Sequence, residues 1–101
     1  MSIPVDNDSK TIEEWRSQFD RIDTAILGLL GERRELSQQL GIWKRKKGLP
    51  IVIPDREKAL IKRLSESRPQ GISEEMIHKI WEAILASSKE AQTSVFTETG
   101  E

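Results

Sequence analysis

The chain has no cysteine, a single histidine and four prolines in 101 residues. Without thiols there is no disulfide scaffold and no thiolate metal site. The composition suits a reducing compartment, so a cytoplasmic protein is expected. One histidine, His78, cannot furnish a histidine-based metal centre, and it reads as a surface residue. A dominant charge sign is also missing: 16 Lys+Arg stand against 17 Asp+Glu, for a net charge of -1. Dedicated nucleic-acid binders are strongly basic, so no nucleic-acid partner is expected. No apolar run approaches the roughly 20 residues of a membrane span. The first ten residues, MSIPVDNDSK, lack the apolar core of a secretory signal. No membrane association is expected.

What the chain does have is helical periodicity. Ile12, Trp15, Phe19, Ile22, Ile26, Leu29, Arg33, Leu36, Leu40 and Trp43 recur at steps of three and four, the stripe of an amphipathic helix. Thr11 and Glu14 form a capping box before it, with Glu13 and Glu14 in the first turn. None of the four prolines interrupts the stripe, and Gly48 and Pro50 end it. Gly28 and Gly31 lie within the pattern, either as tolerated glycines or as points of close approach for a neighbouring helix. Ile51, Val52 and Ile53 read as a short extended linker. Pro54 can open a second helix with Asp55 and Glu57 in its first turn, carrying Leu60, Ile61 and Leu64 on one face. Pro69 and Gly71 break it. Ser73 caps a third helix with the stripe Ile77, Ile80, Trp81, Ile84, Leu85, Ser88 and Gln92. The expected fold is all-α, three helices in long–short–long order, with residues 1–10 and 94–101 as tails around a domain at 11–93. A first helix of roughly 36 residues would run about 54 Å. That length, with Trp15, Trp43 and Trp81 in so small a chain, suggests an intertwined homodimer in which a second copy covers the stripe.

One member of the stripe is an arginine. A guanidinium keeps its proton, so if Arg33 is buried it needs an anion, and nothing on the stripe supplies one. A ligand anion is the simplest partner. Lys44, eleven residues further on, returns to nearly the same face about 16 Å along the axis, and the two can bracket an anionic small molecule. Arg16 lies about 25 Å before Arg33 and is rotated by about 100°. It cannot share a small-molecule site with Arg33 on one straight helix, but it can serve a site on another chain. In an antiparallel pair of long helices, the start of one lies near the middle of the other. Ser88 and Gln92 bring neutral hydrogen-bonding groups on one face of the third helix. Arg56 and Glu57 sit at the N-terminus of the second, beside free backbone N–H groups. No Ser–His or Cys–His nucleophile pair exists, so such a site would bind a small polyanion and stabilise developing charge without covalent chemistry.

Each residue also has a plain structural reading. Arg16 can be a solvated helix arginine, Arg33 can snorkel to the helix edge, and Glu57 can be simple helix-terminal charge. Ser88 and Gln92 can be a frayed polar end. The run Lys44-Arg45-Lys46-Lys47 complements the helix dipole. The functional reading rests on the joint pattern.

That pattern carries a resemblance. The stretch WRSQFDRIDTAILGLLGERRELSQQLGIWK is similar to the first helix of the all-helical chorismate mutases, which carry a lysine eleven residues after an arginine. PDRE resembles their substrate-binding loop and helix, and ASSKEAQ their closing helix. The resemblance spans residues 12–93 and implies conversion of chorismate, a dianion, to prephenate with no cofactor and no metal. It assigns Arg33 to a substrate carboxylate and Arg16 to donation from the partner subunit of a homodimer. Lys44 and Gln92 would hydrogen-bond the ether oxygen of the breaking bond, and Glu57 the ring hydroxyl. Arg56 and Ser88 would make secondary contacts. Many members have an aspartate three residues before the Arg-Glu pair, where this chain has Ile53, so that contact would fall to backbone N–H. Rival readings are an isochorismate-pyruvate lyase, a 4-amino-4-deoxychorismate mutase and, in another class, a non-catalytic helical dimerisation module.

Overall fold

The computed structural model of the chain describes residues 9–98, with side chains described as far as Val95. Three helices follow in order: α1 (Ile12–Lys47), α2 (Pro54–Glu66) and α3 (Glu74–Glu98). Among the described residues there is no strand. The chain divides into two contact units, residues 1–31 and 32–101.

The first unit holds the early part of α1. The Thr11 hydroxyl accepts from the Glu14 N–H at 3.2 Å, so the expected cap is formed. The Lys10 ammonium lies 4.4 Å from the centre of the Trp15 ring, which ties down the end of the segment expected as a tail. Ile12, Phe19, Ile22, Ile26 and Leu29 are all exposed. Residues 1–8, expected as part of that tail, lie outside the described residues.

The second unit holds the rest of α1 with α2 and α3. At the end of α1, Gly48 adopts a φ of 68°. The Leu49 N–H reaches the Lys44 carbonyl at 2.9 Å and the Gly48 N–H the Arg45 carbonyl at 3.2 Å. This is a Schellman closure, which needs a left-handed residue and therefore favours glycine. Pro54 starts α2, with Ile53 as an N-cap residue that makes no side-chain cap bond. The Ser73 hydroxyl accepts from the Met76 N–H at 3.1 Å and caps α3. Leu60 of α2 and Ile77, Ala91 and Val95 of α3 form the buried apolar core.

The large-residue stripe, expected to be covered by a second copy, is exposed within the single chain: Leu36, Leu40 and Trp43 are 65%, 41% and 50% exposed. Ser37, Gly41 and Lys44 are buried instead. The reason is distance. A β-carbon placed on Gly41 would stand 2.8 Å from the Gln92 Cα and 2.9 Å from the Gln92 carbonyl oxygen, so α3 crosses where α1 has no side chain. At Gly28 and Gly31, by contrast, nothing lies within 4 Å. One expectation needs correction, the C-terminal tail expected from residue 94. The helix continues to Glu98, because Val95 is buried and lies against Gly41. Residues 99–101 lie outside the described residues.

Candidate active site

The Schellman turn holds the backbone of Lys44, and two acceptors hold its side chain. The ammonium donates to the Ile51 carbonyl at 2.6 Å and to the Gln92 Oε1 at 2.8 Å. Lys44 and Gln92 are both buried, at 7% and 8% exposure, although one ends α1 and the other lies near the end of α3. Desolvation lowers the Lys44 pKa from the ordinary lysine value, since burial disfavours a charge that no carboxylate balances. Three N–H donors meet two protein acceptors, so one lysine donor remains for a ligand. Both N–H groups of the Gln92 amide remain as well.

Further up α1, the Arg33 guanidinium donates from Nη1 to the Ser88 hydroxyl at 2.9 Å. The Ser37 hydroxyl donates to the Arg33 carbonyl at 2.9 Å, and it also meets the Ser88 hydroxyl directly. Arg33 is half-buried. Among the described residues its side-chain partner is a neutral hydroxyl rather than a carboxylate. The adjacent Arg34 is satisfied elsewhere, by the Ser87 carbonyl and the Glu90 carboxylate, both at 3.3 Å.

These groups border one cavity of about 260 Å³. Arg33, Lys44, Ile53, Arg56, Glu57, Ser88 and Gln92 all line it, so every site residue expected from this unit is brought together. Arg16 belongs to the first unit and is exposed. The lining has four cations, Arg33, Lys44, Arg56 and Lys89, against one carboxylate, Glu57. That balance attracts a dianion. Leu36, Leu40, Val52, Leu60 and Leu85 supply apolar wall, which strengthens charge interactions by excluding water. A larger groove of about 700 Å³ between α2 and α3 is lined by Lys58, Lys62 and Arg68 against Glu57, Glu66, Glu74 and Glu82. With carboxylates in the majority it is no anion site. Exposed His78 faces this groove.

Sequence reasoning missed Ser37, Gly41, Lys89 and the Ile51 carbonyl. The available signal was the spacing of Arg33, Ser37, Gly41 and Lys44, which puts small and polar residues on one face of α1. A search for large apolar residues passes over it.

Fold and site together define an all-α domain with a cavity lined by four cations and one carboxylate. Comparison with known proteins agrees. The family model for type II chorismate mutase matches residues 15–93, and the chain belongs to that family. A chorismate mutase from Methanocaldococcus jannaschii is 30% identical over 89 residues, covering 87% of this chain and 90% of the relative. The bifunctional chorismate mutase/prephenate dehydratase of Aquifex aeolicus is 39% identical over 80 residues, or 74% of this chain and 22% of the relative. The T-protein of Enterobacter agglomerans is 34% identical over 74 residues, 72% of this chain and 20% of the relative. The chain thus spans about a fifth of the length of those two larger relatives. Among solved structures, chorismate mutase from Thermus thermophilus superposes with a TM-score of 0.78 at 32% identity, covering 81% of this chain and 93% of that one. Among the described residues, no helix is long and apolar enough to cross a membrane.

Proposed function

We propose that this chain is a chorismate mutase that rearranges chorismate to prephenate and works as a homodimer in the cytoplasm. The observation that carries the reading is the buried Lys44–Gln92 pair at 2.8 Å in a cationic cavity. The reaction is a pericyclic isomerisation. The ether C–O bond breaks as a C–C bond forms between side chain and ring, with no proton transferred and nothing oxidised. Negative charge grows on the ether oxygen as the bond breaks. The remaining Lys44 donor and a Gln92 N–H stabilise that oxygen, an effect worth several kcal/mol in a dry, preorganised site. Arg33 binds one substrate carboxylate and holds the compact conformer in which the reacting carbons meet. Glu57 accepts from the ring hydroxyl. Arg56 and Ser88 take secondary positions, and the backbone at Ile53 replaces the contact that other members make with aspartate.

The dimer reading is supported by the bare apolar residues of α1. Ile12, Phe19, Ile26 and Leu29 are each at least half exposed, and burying one such side chain contributes about 1.5–3 kcal/mol. A second copy covers them and brings its own Arg16 to the cavity as a further cation. A cytoplasmic location fits the absence of cysteine. It also fits the relatives named intracellular chorismate mutase in Mycobacterium tuberculosis and Mycobacterium bovis, 35% identical over 60 residues.

The test is product identification by NMR after separate incubation with chorismate, isochorismate and 4-amino-4-deoxychorismate. Prephenate from chorismate is the expected result. Salicylate and pyruvate from isochorismate would replace it with the lyase reading, and a rearranged amino compound with the aminodeoxychorismate mutase reading. No turnover of any of the three would leave a helical dimerisation module.

A further inference from the structure

Lys44 is tied at both ends to the linker that joins α1 to α2. Its carbonyl accepts from the Leu49 N–H at 2.9 Å. Its ammonium, at the far end of the side chain, donates to the Ile51 carbonyl at 2.6 Å. Donor and acceptor are fixed by chemistry: an ammonium has three protons and no lone pair, and a carbonyl has no proton. The turn explains how the linker gets there. Gly48 takes a φ of 68°, so the chain reverses over the last turn of α1 and residue 51 returns beside residue 44. Among the described residues no carboxylate pairs with the ammonium. Two neutral oxygens hold its charge, the Ile51 carbonyl and the Gln92 Oε1. Burial lowers the Lys44 pKa, and each bond to the charged form works against that.

We infer that the main-chain carbonyl of Ile51 is a positioning group for Lys44, fixing the ammonium so that its third N–H points at the ether oxygen of the substrate. The argument is tetrahedral geometry. One substituent of the ammonium nitrogen is its own Cε. With two N–H directions set by Ile51 and Gln92, the third is set as well. Held by Gln92 alone, the ammonium would turn about that single bond and the third donor would have no fixed aim. Ile51 borders the cavity, but its carbonyl cannot serve the substrate carboxylates or ether oxygen, because all of them are acceptors. The ring hydroxyl is the one donor on the substrate, and Glu57 takes it. The inference rests on the chorismate mutase reading for the oxygen that Lys44 meets. The hold on the ammonium does not depend on that reading.

The test weakens that carbonyl and leaves every side chain alone. Semisynthesis can replace the Val52 N–H by oxygen, which turns the Ile51 carbonyl into an ester carbonyl, a poorer acceptor. Among the described residues the Val52 N–H makes no backbone hydrogen bond, so the exchange breaks none. In the ligand-free protein, the Lys44 Nζ titration followed by 15N NMR should move to lower pH than in the parent. The other charged groups of the cavity, Arg33, Arg56, Glu57 and Lys89, are the same in every sample. An ester at Ile51, which weakens the Pro50 carbonyl instead, should leave the titration in place. A titration unmoved by the Val52 ester, or moved equally by both esters, overturns the inference. At a pH where Lys44 is charged throughout, the Val52 ester should lower kcat for chorismate about tenfold, less than outright loss of a donor. KM should stay within about threefold, since the ether oxygen gains its charge only in the transition state. A kcat within about twofold of the parent, or a loss confined to KM, also overturns it. Should the ester protein not fold, the unmodified protein decides: a 15Nζ–13C′ coupling across the Lys44–Ile51 hydrogen bond is expected, and its absence overturns the inference. A parent that turns over no chorismate would sink the proposed activity alone, and the titration would still decide whether Ile51 holds Lys44.

Discussion

Lys44 and Gln92 come from different helices, yet the lysine ammonium stands 2.8 Å from the glutamine carbonyl oxygen, with both residues buried. Packing α1 against α3 therefore builds the pair before any substrate arrives. Preorganisation of this kind is where electrostatic catalysis draws its strength. Lys44→Ala should lower kcat by about 100- to 1,000-fold. Arg34→Ala removes a cation ten residues earlier that pairs with Glu90 outside the cavity. It should leave kcat within about threefold, because a half-exposed ion pair contributes only about 0.2–1 kcal/mol to stability. Steady-state kinetics on both variants decides the matter, and equal mild losses would remove Lys44 from the mechanism.

The lowered Lys44 pKa fixes two trends of opposite sign. In the window between its folded value and the higher unfolded value, the unfolded chain holds more protons, so the Lys44 contribution makes stability rise with pH. Under the proposed mechanism activity requires the charged lysine and should fall as pH passes upward through the folded value. The profile of kcat/KM, which reports the free enzyme, should show an alkaline limb below the usual lysine range. Lys44→Gln should abolish that limb. A limb that persists in Lys44→Gln would assign it to another group.

Gly41→Ala offers a test of the helix crossing. In an open helix the change to alanine gains about 1 kcal/mol. Here the new methyl meets Gln92 backbone atoms at 2.8 and 2.9 Å and the Val95 side chain at 2.9 Å. Backbone cannot rotate away, so overpacking should outweigh propensity, with a net loss of about 1–3 kcal/mol. Displacement of Gln92 should lower kcat as well. Thermal unfolding read beside kinetics checks both, and a variant more stable than its parent would refute the close crossing.

Ile53 stands at the N-cap of α2 without a capping side chain. Ile53→Asp supplies one and should stabilise the protein by about 0.5–2 kcal/mol. In a domain of this size that raises the unfolding midpoint by several degrees, at about 4–8 °C per kcal/mol. The midpoint from calorimetry is the check, and no increase would mean the aspartate cannot reach the α2 N–H groups.

Donation of Arg16 across subunits is open to complementation. Arg16→Ala and Lys44→Ala should each be nearly inactive alone. In a mixed dimer, one cavity keeps its own Lys44 and receives Arg16 from the Lys44→Ala chain. Co-refolding equal amounts should restore about a quarter of parental activity, from one intact site in half of the dimers. If the mixture stays as inactive as its parts, Arg16 serves its own chain or no site at all.

The helix starts and the ends of α1 and α2 were legible in the linear chain because their signals are local. Thr11 and Ser73 cap through side chains within three residues, Pro54 presets a first-turn φ, and Gly48 takes the left-handed φ that closes α1. Arg33, Lys44, Ser88 and Gln92 were legible by helical phase, and the cavity brings them together. The end of α3 was not legible, since Val95 is helical for the sake of a long-range contact with Gly41.

The sequence by itself determined the three helices, their order and the charged groups that an anionic substrate would meet, because capping, breaking and periodicity act within a few residues. Only the tertiary structure decided which face of α1 is buried. Large apolar residues mark a face that some surface must cover, but they do not say whether that surface is α3 or another chain. Close approach of backbones selects small residues instead. That is why Gly41 and Ser37, rather than Leu40 and Leu36, lie against α3, and why the meeting of Ser37 and Ser88 beside Arg33 is visible only in three dimensions.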